Sequence, residues 1–152
     1  MGLENKIYHL INQKKSIFLV GESDSGKTYF VLKELIPFLK SKRLASTYFS
    51  DCDHIKVVPK TGVVIIDEVE TFQDKEFLEK IRATEKSYYS KRYIQKVNRW
   101  FKKLKRVKVP SIYIITRNSK NEIEHFQKTV KTADWNKRVV EVVVFPRRIT
   151  RR

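Results

Sequence analysis

The sequence predicts an α/β domain in which a five-stranded, mostly parallel sheet carries helices on both faces. Three observations predict it. Five short apolar runs recur along the 152 residues, and the stretches between them space apolar residues three and four apart. A glycine-containing octapeptide also joins the first apolar run to the first long helical stretch. Strands separated by whole helices are joined by crossovers rather than hairpins, and crossovers make neighbouring strands parallel.

Taken in order, Leu3, Ile7, Leu10 and Ile11 fall on one helical face and predict a short leading helix within residues 1–15. Ser16–Val20 (SIFLV) reads as a buried strand. From Gly26 to about Arg43 the apolar face is broad, with Val31, Leu32, Leu35, Ile36 and Leu39, and Pro37 is expected to end or bend the helix. Ser46–Phe49 predicts a second strand and Gly62–Ile66 (GVVII) a third. Glu70–Arg82 reads as helical. So does Ser87–Lys105, where Ile94, Val97, Phe101 and Leu104 recur at helical spacing. Pro110 punctuates the chain before Ile112–Ile115 (IYII), the fourth strand. A helix over about Asn121–Lys131 then leads to the fifth strand, Val139–Phe145 (VVEVVVF). With no repeat, low-complexity tract or linker, residues 1–152 are expected to form one domain: leading helix 1–15, core 16–145, basic tail 146–152.

Composition narrows the class. Hydrophobic residues at 41% and aromatics at 12% suffice for a core, so the high charge does not imply disorder. The formal net charge of +16, from 33 Lys and Arg against 17 Asp and Glu, exceeds what solubility needs and points to a polyanionic partner, nucleic acid or an anionic membrane surface. Cys52 is the only cysteine, which excludes an intrachain disulfide and fits a reducing, cytoplasmic setting. No apolar run approaches the ~18–20 residues of a membrane span, and Met1–Lys15 lacks a signal-peptide core.

The octapeptide Gly21-Glu22-Ser23-Asp24-Ser25-Gly26-Lys27-Thr28 matches G-x-x-x-x-G-K-[ST], the P-loop pattern, and sits between an apolar strand and an amphipathic helix as that pattern requires. Backbone N–H groups of such a loop and of the helix start cradle phosphate oxygens. Lys27 is placed to meet the β and γ phosphates of ATP, and the Thr28 hydroxyl to ligate Mg²⁺.

Two strand ends agree with it. Val63-Val64-Ile65-Ile66-Asp67-Glu68 is an apolar strand ending in two acids. Asp67 is the candidate magnesium carboxylate, and Glu68 the candidate general base on the attacking water. If the fourth strand lies between the two motif strands, Asn118 at its end is placed to position that water, with Thr116 as the second candidate. Asp51 and Asp53 are either near the magnesium region or simply turn residues.

The octapeptide, the Asp67–Glu68 pair, the strand ending in Asn118 and Arg138 before the last strand resemble the core of an AAA+ ATPase. Compact spacing, with 40 residues from Lys27 to Asp67 and 51 from Asp67 to Asn118, and the Ile-Thr-Arg-Asn strand end are similar to superfamily 3 helicases of small replicons and viruses. The resemblance spans about Ser16–Phe145. It implies strand order 5-1-4-3-2, ATP sites shared between neighbours in a homo-oligomeric ring, and Arg138 as an arginine finger, with Arg117 as the runner-up. Only seven residues follow Phe145, so no C-terminal helical lid is expected. The chain departs from those helicases in having no origin-binding or nickase domain before Ser16, so a separate targeting protein is expected.

Most of the excess charge is local. Residues 86–108 hold ten bases and no acid: Lys86, Lys91, Arg92, Lys96, Arg99, Lys102, Lys103, Lys105, Arg106 and Lys108. Removing them takes the chain from +16 to +6. Tyr88, Tyr89, Tyr93 and Trp100 interleave with the cations, an arrangement suited to stacking on unpaired bases. Lys91, Arg92, Lys96, Arg99, Trp100, Lys102, Lys103, Lys105 and Arg106 are the candidate nucleic-acid contacts, and Arg147, Arg148, Arg151 and Arg152 a smaller cluster. The expected function is Mg²⁺-dependent ATP hydrolysis coupled to nucleic-acid binding or remodelling. A small phosphotransferase and a nucleotide-gated binding module with little turnover remain as alternatives.

Overall fold

The computed structural model describes residues 2–56, 59–69, 91–117, 119–129, 132–135 and 138–146. The expected helix over 70–82, the start of the one over 87–105, Asn118 and the arginines beyond Pro146 lie outside the described residues. The elements are α1 (Leu3–Asn12), β1 (Ser16–Glu22), α2 (27–41), β2 (Ser46–Phe49), a 3-10 turn (Cys52–His54), β3 (Val63–Ile66), α3 (Lys91–Lys105), β4 (Ser111–Arg117), α4 (Lys120–Thr129), β5 (Thr132–Trp135) and β6 (Arg138–Val144).

The strands form one sheet in the order β2-β3-β4-β1-β6-β5. β1 pairs parallel with β4 and β6, and β3 parallel with β2 and β4. Because β6 is the fifth strand of the sequence reading, the five parallel strands stand in the expected order 5-1-4-3-2. The sixth strand was not expected. β5 runs antiparallel to β6, with Thr132 opposite Glu141 and Trp135 opposite Arg138. An edge strand is held by backbone pairing on one side only, so it needs no apolar run, and Thr-Ala-Asp-Trp offers none.

Helices cover both faces. On one, Ile17, Leu19, Ile65, Ile112, Ile114 and Val143 pack against Ile7, Leu10 and Ile11 of α1 and Phe30, Val31, Leu35 and Leu39 of α2. On the other, Phe18, Val20, Val64, Ile66, Tyr113, Ile115 and Val140 meet Leu104 of α3 and Ile123 of α4. The central strands are thus covered on both sides, which is why they read as continuous apolar runs rather than as alternation. Each such side chain contributes about 1.5–3 kcal/mol by burial. No helix among the described residues is long and apolar enough to cross a membrane.

α2 runs past Pro37 to Ser41, with a wider π turn over Val31–Leu35 just before it. Pro37 has no N–H, and its ring would collide with the carbonyl four residues back in a regular α-helix. Widening the preceding turn accommodates the ring, so the proline changes the local pitch without ending the helix.

Candidate functional site

The candidate site forms where the C-terminal ends of β1, β3 and β4 meet the start of α2. β1 continues into the octapeptide, and Gly21 and Glu22 still pair with Thr116 and Arg117 of β4. The two glycines act differently. Gly26 takes φ +94, a left-handed conformation that favours glycine, and the space a Cβ would enter is open. Gly21 is needed for closeness: a Cβ there would stand 2.9 Å from Lys27 Cδ and 3.1 Å from Phe145 Cβ.

Lys27 is only 6% exposed. Its Nζ donates to the carbonyls of Gly21 at 3.1 Å and Glu22 at 2.6 Å, so the ammonium lies along the loop. Thr28 Oγ1 donates to Asp67 Oδ2 at 2.8 Å. Strand alternation brings these two together. Val63 and Ile65 face the α2 side and Val64 and Ile66 the other, so Asp67 returns to the α2 side, beneath Thr28. The amide of Asp67 donates to Phe49 O at 2.9 Å and that of Val69 to Ile114 O at 3.0 Å, which locks the strand end between β2 and β4.

Glu68, between them, takes φ +51. Its amide donates to Asp67 Oδ1 at 2.8 Å. Its side chain is exposed at the edge of a cavity of about 310 Å³ lined by Ser23 to Tyr29, Asp67, Glu68 and Thr116. β4 does stand between the two motif strands, which puts Thr116 on that cavity; Asn118 lies outside the described residues. The buried Ser25 Oγ, also on the cavity, has no hydrogen-bond partner among the described residues.

These features fit a magnesium–nucleotide pair. A hydroxyl and a carboxylate 2.8 Å apart supply the hard oxygen ligands that Mg²⁺ takes. The adjoining loop offers backbone N–H groups, a buried cation and an orphaned buried hydroxyl to an anion. Thr28 and Asp67 would hold the metal, and Gly21 to Thr28 the phosphates.

One site residue had no sequence signal. The Tyr48 hydroxyl donates to Asp67 Oδ2 at 2.7 Å. Tyr48 lies opposite Ile65 in the β2–β3 register, on the same face as Asp67. Burial, reinforced by the bond to Asp67, holds its hydroxyl above the ordinary tyrosine value and keeps it a proton donor. An aromatic in a strand otherwise reads as core, and only the register of two separate strands reveals the contact.

Other expected residues lie elsewhere. Arg138 starts β6, at the end of the parallel sheet opposite the loop. Its guanidinium donates to Lys108 O at 3.0 and 2.9 Å and to Lys14 O at 3.0 Å. Arg117 donates to Thr116 O at 3.0 Å and lies over the Phe126 ring. Asp51 caps its own turn: its Oδ1 accepts from the His54 amide at 3.1 Å and pairs with His54 Nδ1 at 2.6 Å, and that ring holds the carboxyl below its ordinary value. Asp53 turns to α3, where its carboxylate accepts from Trp100 Nε1 at 2.5 Å and Arg99 at 3.5 Å, while its carbonyl accepts from Lys103 at 3.0 Å.

α3 keeps its charge outside. Val97 and Leu104 are buried, Trp100 packs in part against the sheet-face cluster, and Lys91, Arg92, Lys96, Arg99, Lys102, Lys105 and Arg106 are exposed. Trp100 is more engaged than a free stacking platform would be, since Lys96 Nζ also stands 4.6 Å from its ring centre. A larger hollow, about 520 Å³, lies between α4 and the end of β6 and borders the loop at Glu22, with Ile123, Val144, Phe145 and Pro146 among its walls.

Comparison with protein-family models, with curated proteins and with solved structures finds no match for this chain.

Proposed function

We propose that this chain is a P-loop ATPase that hydrolyses ATP with Mg²⁺ and couples the reaction to nucleic-acid binding or remodelling. The observation that carries the reading is the convergence of Lys27, Thr28 and Asp67 at the carboxyl ends of β1 and β3. In open α/β sheets ligands bind outside those ends, where neighbouring crossovers part. In this reading loop amides and Lys27 bind the phosphates, Thr28 and Asp67 hold the metal, and bound Mg²⁺ neutralises charge that develops on the phosphates. Glu68, exposed on the cavity, takes a proton from the attacking water, with Thr116 beside it. The basic arc of α3 supplies a sequence-independent phosphate-backbone contact. Assembly into a ring with shared sites, a separate targeting protein and a cytoplasmic location belong to the same reading. Arg138 is a weaker finger than its sequence position suggested, because three of its five N–H donors already bond two backbone carbonyls.

The test is nucleotide binding and ATPase rate for the parent and Lys27→Ala, with and without single-stranded DNA, double-stranded DNA and RNA. Lys27→Ala should weaken ATP binding at least about 100-fold, the factor that about 2.7 kcal/mol of lost charge-assisted bonding corresponds to. Unchanged ATP affinity in a folded Lys27→Ala protein would refute the proposal. The phosphotransferase alternative is favoured by the hollow beside Glu22, which gives it an acceptor pocket adjoining the loop. Product analysis separates the two: hydrolysis releases inorganic phosphate, and phosphoryl transfer releases none.

A further inference from the structure

We infer that Tyr48 is a positioning residue for the magnesium carboxylate, setting how tightly this site takes a divalent cation. The inference rests on the magnesium–nucleotide reading of the site and adds a group to it that the octapeptide and the Asp67–Glu68 pair do not contain. Two hydroxyls converge on one oxygen: Thr28 Oγ1 at 2.8 Å and Tyr48 OH at 2.7 Å, both on Asp67 Oδ2. They are held differently. Thr28 is exposed on the cavity at the start of α2 and is free to give its oxygen to a cation. Tyr48 is half-buried, its ring packed against the core under α1 and α2, with its strand paired to β3 at Ile65. Its reach to Asp67 is therefore set by the sheet and not by a mobile side chain. The other oxygen, Oδ1, is taken by the Glu68 amide. Together the two bonds fix both the plane and the direction of the carboxylate. Groups that orient a ligating carboxylate in this way typically change metal affinity by roughly 10- to 100-fold when removed.

The experiment uses Tyr48→Phe, which keeps the ring and deletes only the hydroxyl. A fluorescent ATP analogue is titrated in EDTA and then over a range of Mg²⁺, and thermal melting is followed in parallel. Analogue affinity in EDTA should match the parent within about twofold, because the phosphate loop is untouched. The Mg²⁺ concentration that half-saturates the binding enhancement should rise roughly 10-fold. An unchanged half-saturation would overturn the inference, and a lowered melting temperature beside it would assign the Tyr48 hydroxyl to fold stability alone. Failure of the underlying reading looks different. A parent protein whose analogue affinity shows no response to Mg²⁺ would remove the metal site, and this inference with it.

Discussion

Glu68 combines two properties that separate variants can pull apart. It is a non-glycine residue at φ +51, and its side chain stands exposed on the cavity. The left-handed conformation brings the Cβ close to the following carbonyl, at a cost of roughly 1–2 kcal/mol. The structure over-determines that conformation, since amides on either side of Glu68 bond to Phe49 and Ile114 and its own amide bonds to Asp67. Glu68→Gly would remove the steric cost while keeping that amide. Glycine's greater freedom in the unfolded chain returns roughly 0.5–1 kcal/mol of it. The balance is a gain of about 0.5–1 kcal/mol, or about 1–4 °C in Tm for a chain of this length. Glu68→Gln retains the Cβ and hence the strain, so its stability should stay within about 0.5 kcal/mol of the parent.

Hydrolysis should respond in the opposite pattern. With Glu68 as the proposed base, both variants should slow turnover by about 10²–10⁴, and Glu68→Gln should still bind ATP. Urea unfolding without nucleotide reads the first effect, and single-turnover phosphate release reads the second. A Glu68→Gly protein no more stable than the parent would refute the strain argument. A Glu68→Gln protein that hydrolyses at the parent rate would refute the base assignment. Gain of stability with loss of turnover is the signature of a strained residue kept for its chemistry.

The remaining predictions concern the two arginine- and lysine-bearing regions. Changing Lys102, Lys105 and Arg106 to Glu should weaken binding to single-stranded nucleic acid and flatten its log–log salt dependence by about 2, from roughly 0.7 per contacted phosphate. Lys103 is left in place because its ammonium already holds the Asp53 carbonyl. Equal binding by parent and variant at every salt concentration would leave α3 a solvated face. Arg138→Ala should lower Tm by about 2–4 °C, through loss of about 1 kcal/mol of hydrogen bonding to Lys14 and Lys108. Its ATPase rate should stay near the parent's; a loss of turnover in Arg138→Ala that mixing with Glu68→Gln protein restores would reinstate Arg138 as a group acting on a neighbour's site.

The fold was legible where burial dictates pattern. β1, β3 and β4 are covered on both faces, so each appears as an unbroken apolar run, and the helices between them show three- and four-residue spacing. Both signals are local. β5 was not legible, because its stability comes from backbone pairing with β6 and leaves composition unconstrained. The wide turn in α2 was half-legible: Pro37 marks the disturbance, but a proline that ends a helix and one that widens it have the same sequence.

For the site, the same division between local and non-local information decides what could be read. Gly21 to Thr28 must be contiguous because one strand–turn–helix supplies the loop, so a short pattern contains it. Asp67 is readable because it ends a buried strand, and alternation along that strand puts it on the side of α2. The Thr28–Asp67 contact then follows once β4 stands between β1 and β3 and the strands run parallel. Tyr48 needs one more fact, the register that sets it opposite Ile65, and a parallel pair joined by a long connection carries no turn from which register can be counted. Asp53 is the same case for α3: its clasp on Trp100 joins residues 47 positions apart, so only the packed structure shows that the indole is tied to a carboxylate. Trp100→Ala would therefore remove a packing contact and a hydrogen bond together, and a loss of nucleic-acid affinity in that variant could not by itself be assigned to base stacking. The charge changes at Lys102, Lys105 and Arg106 reduce that ambiguity, because those side chains are exposed on α3 and the turn after it, although Lys105 Nζ also stands 5.4 Å from the Phe101 ring centre.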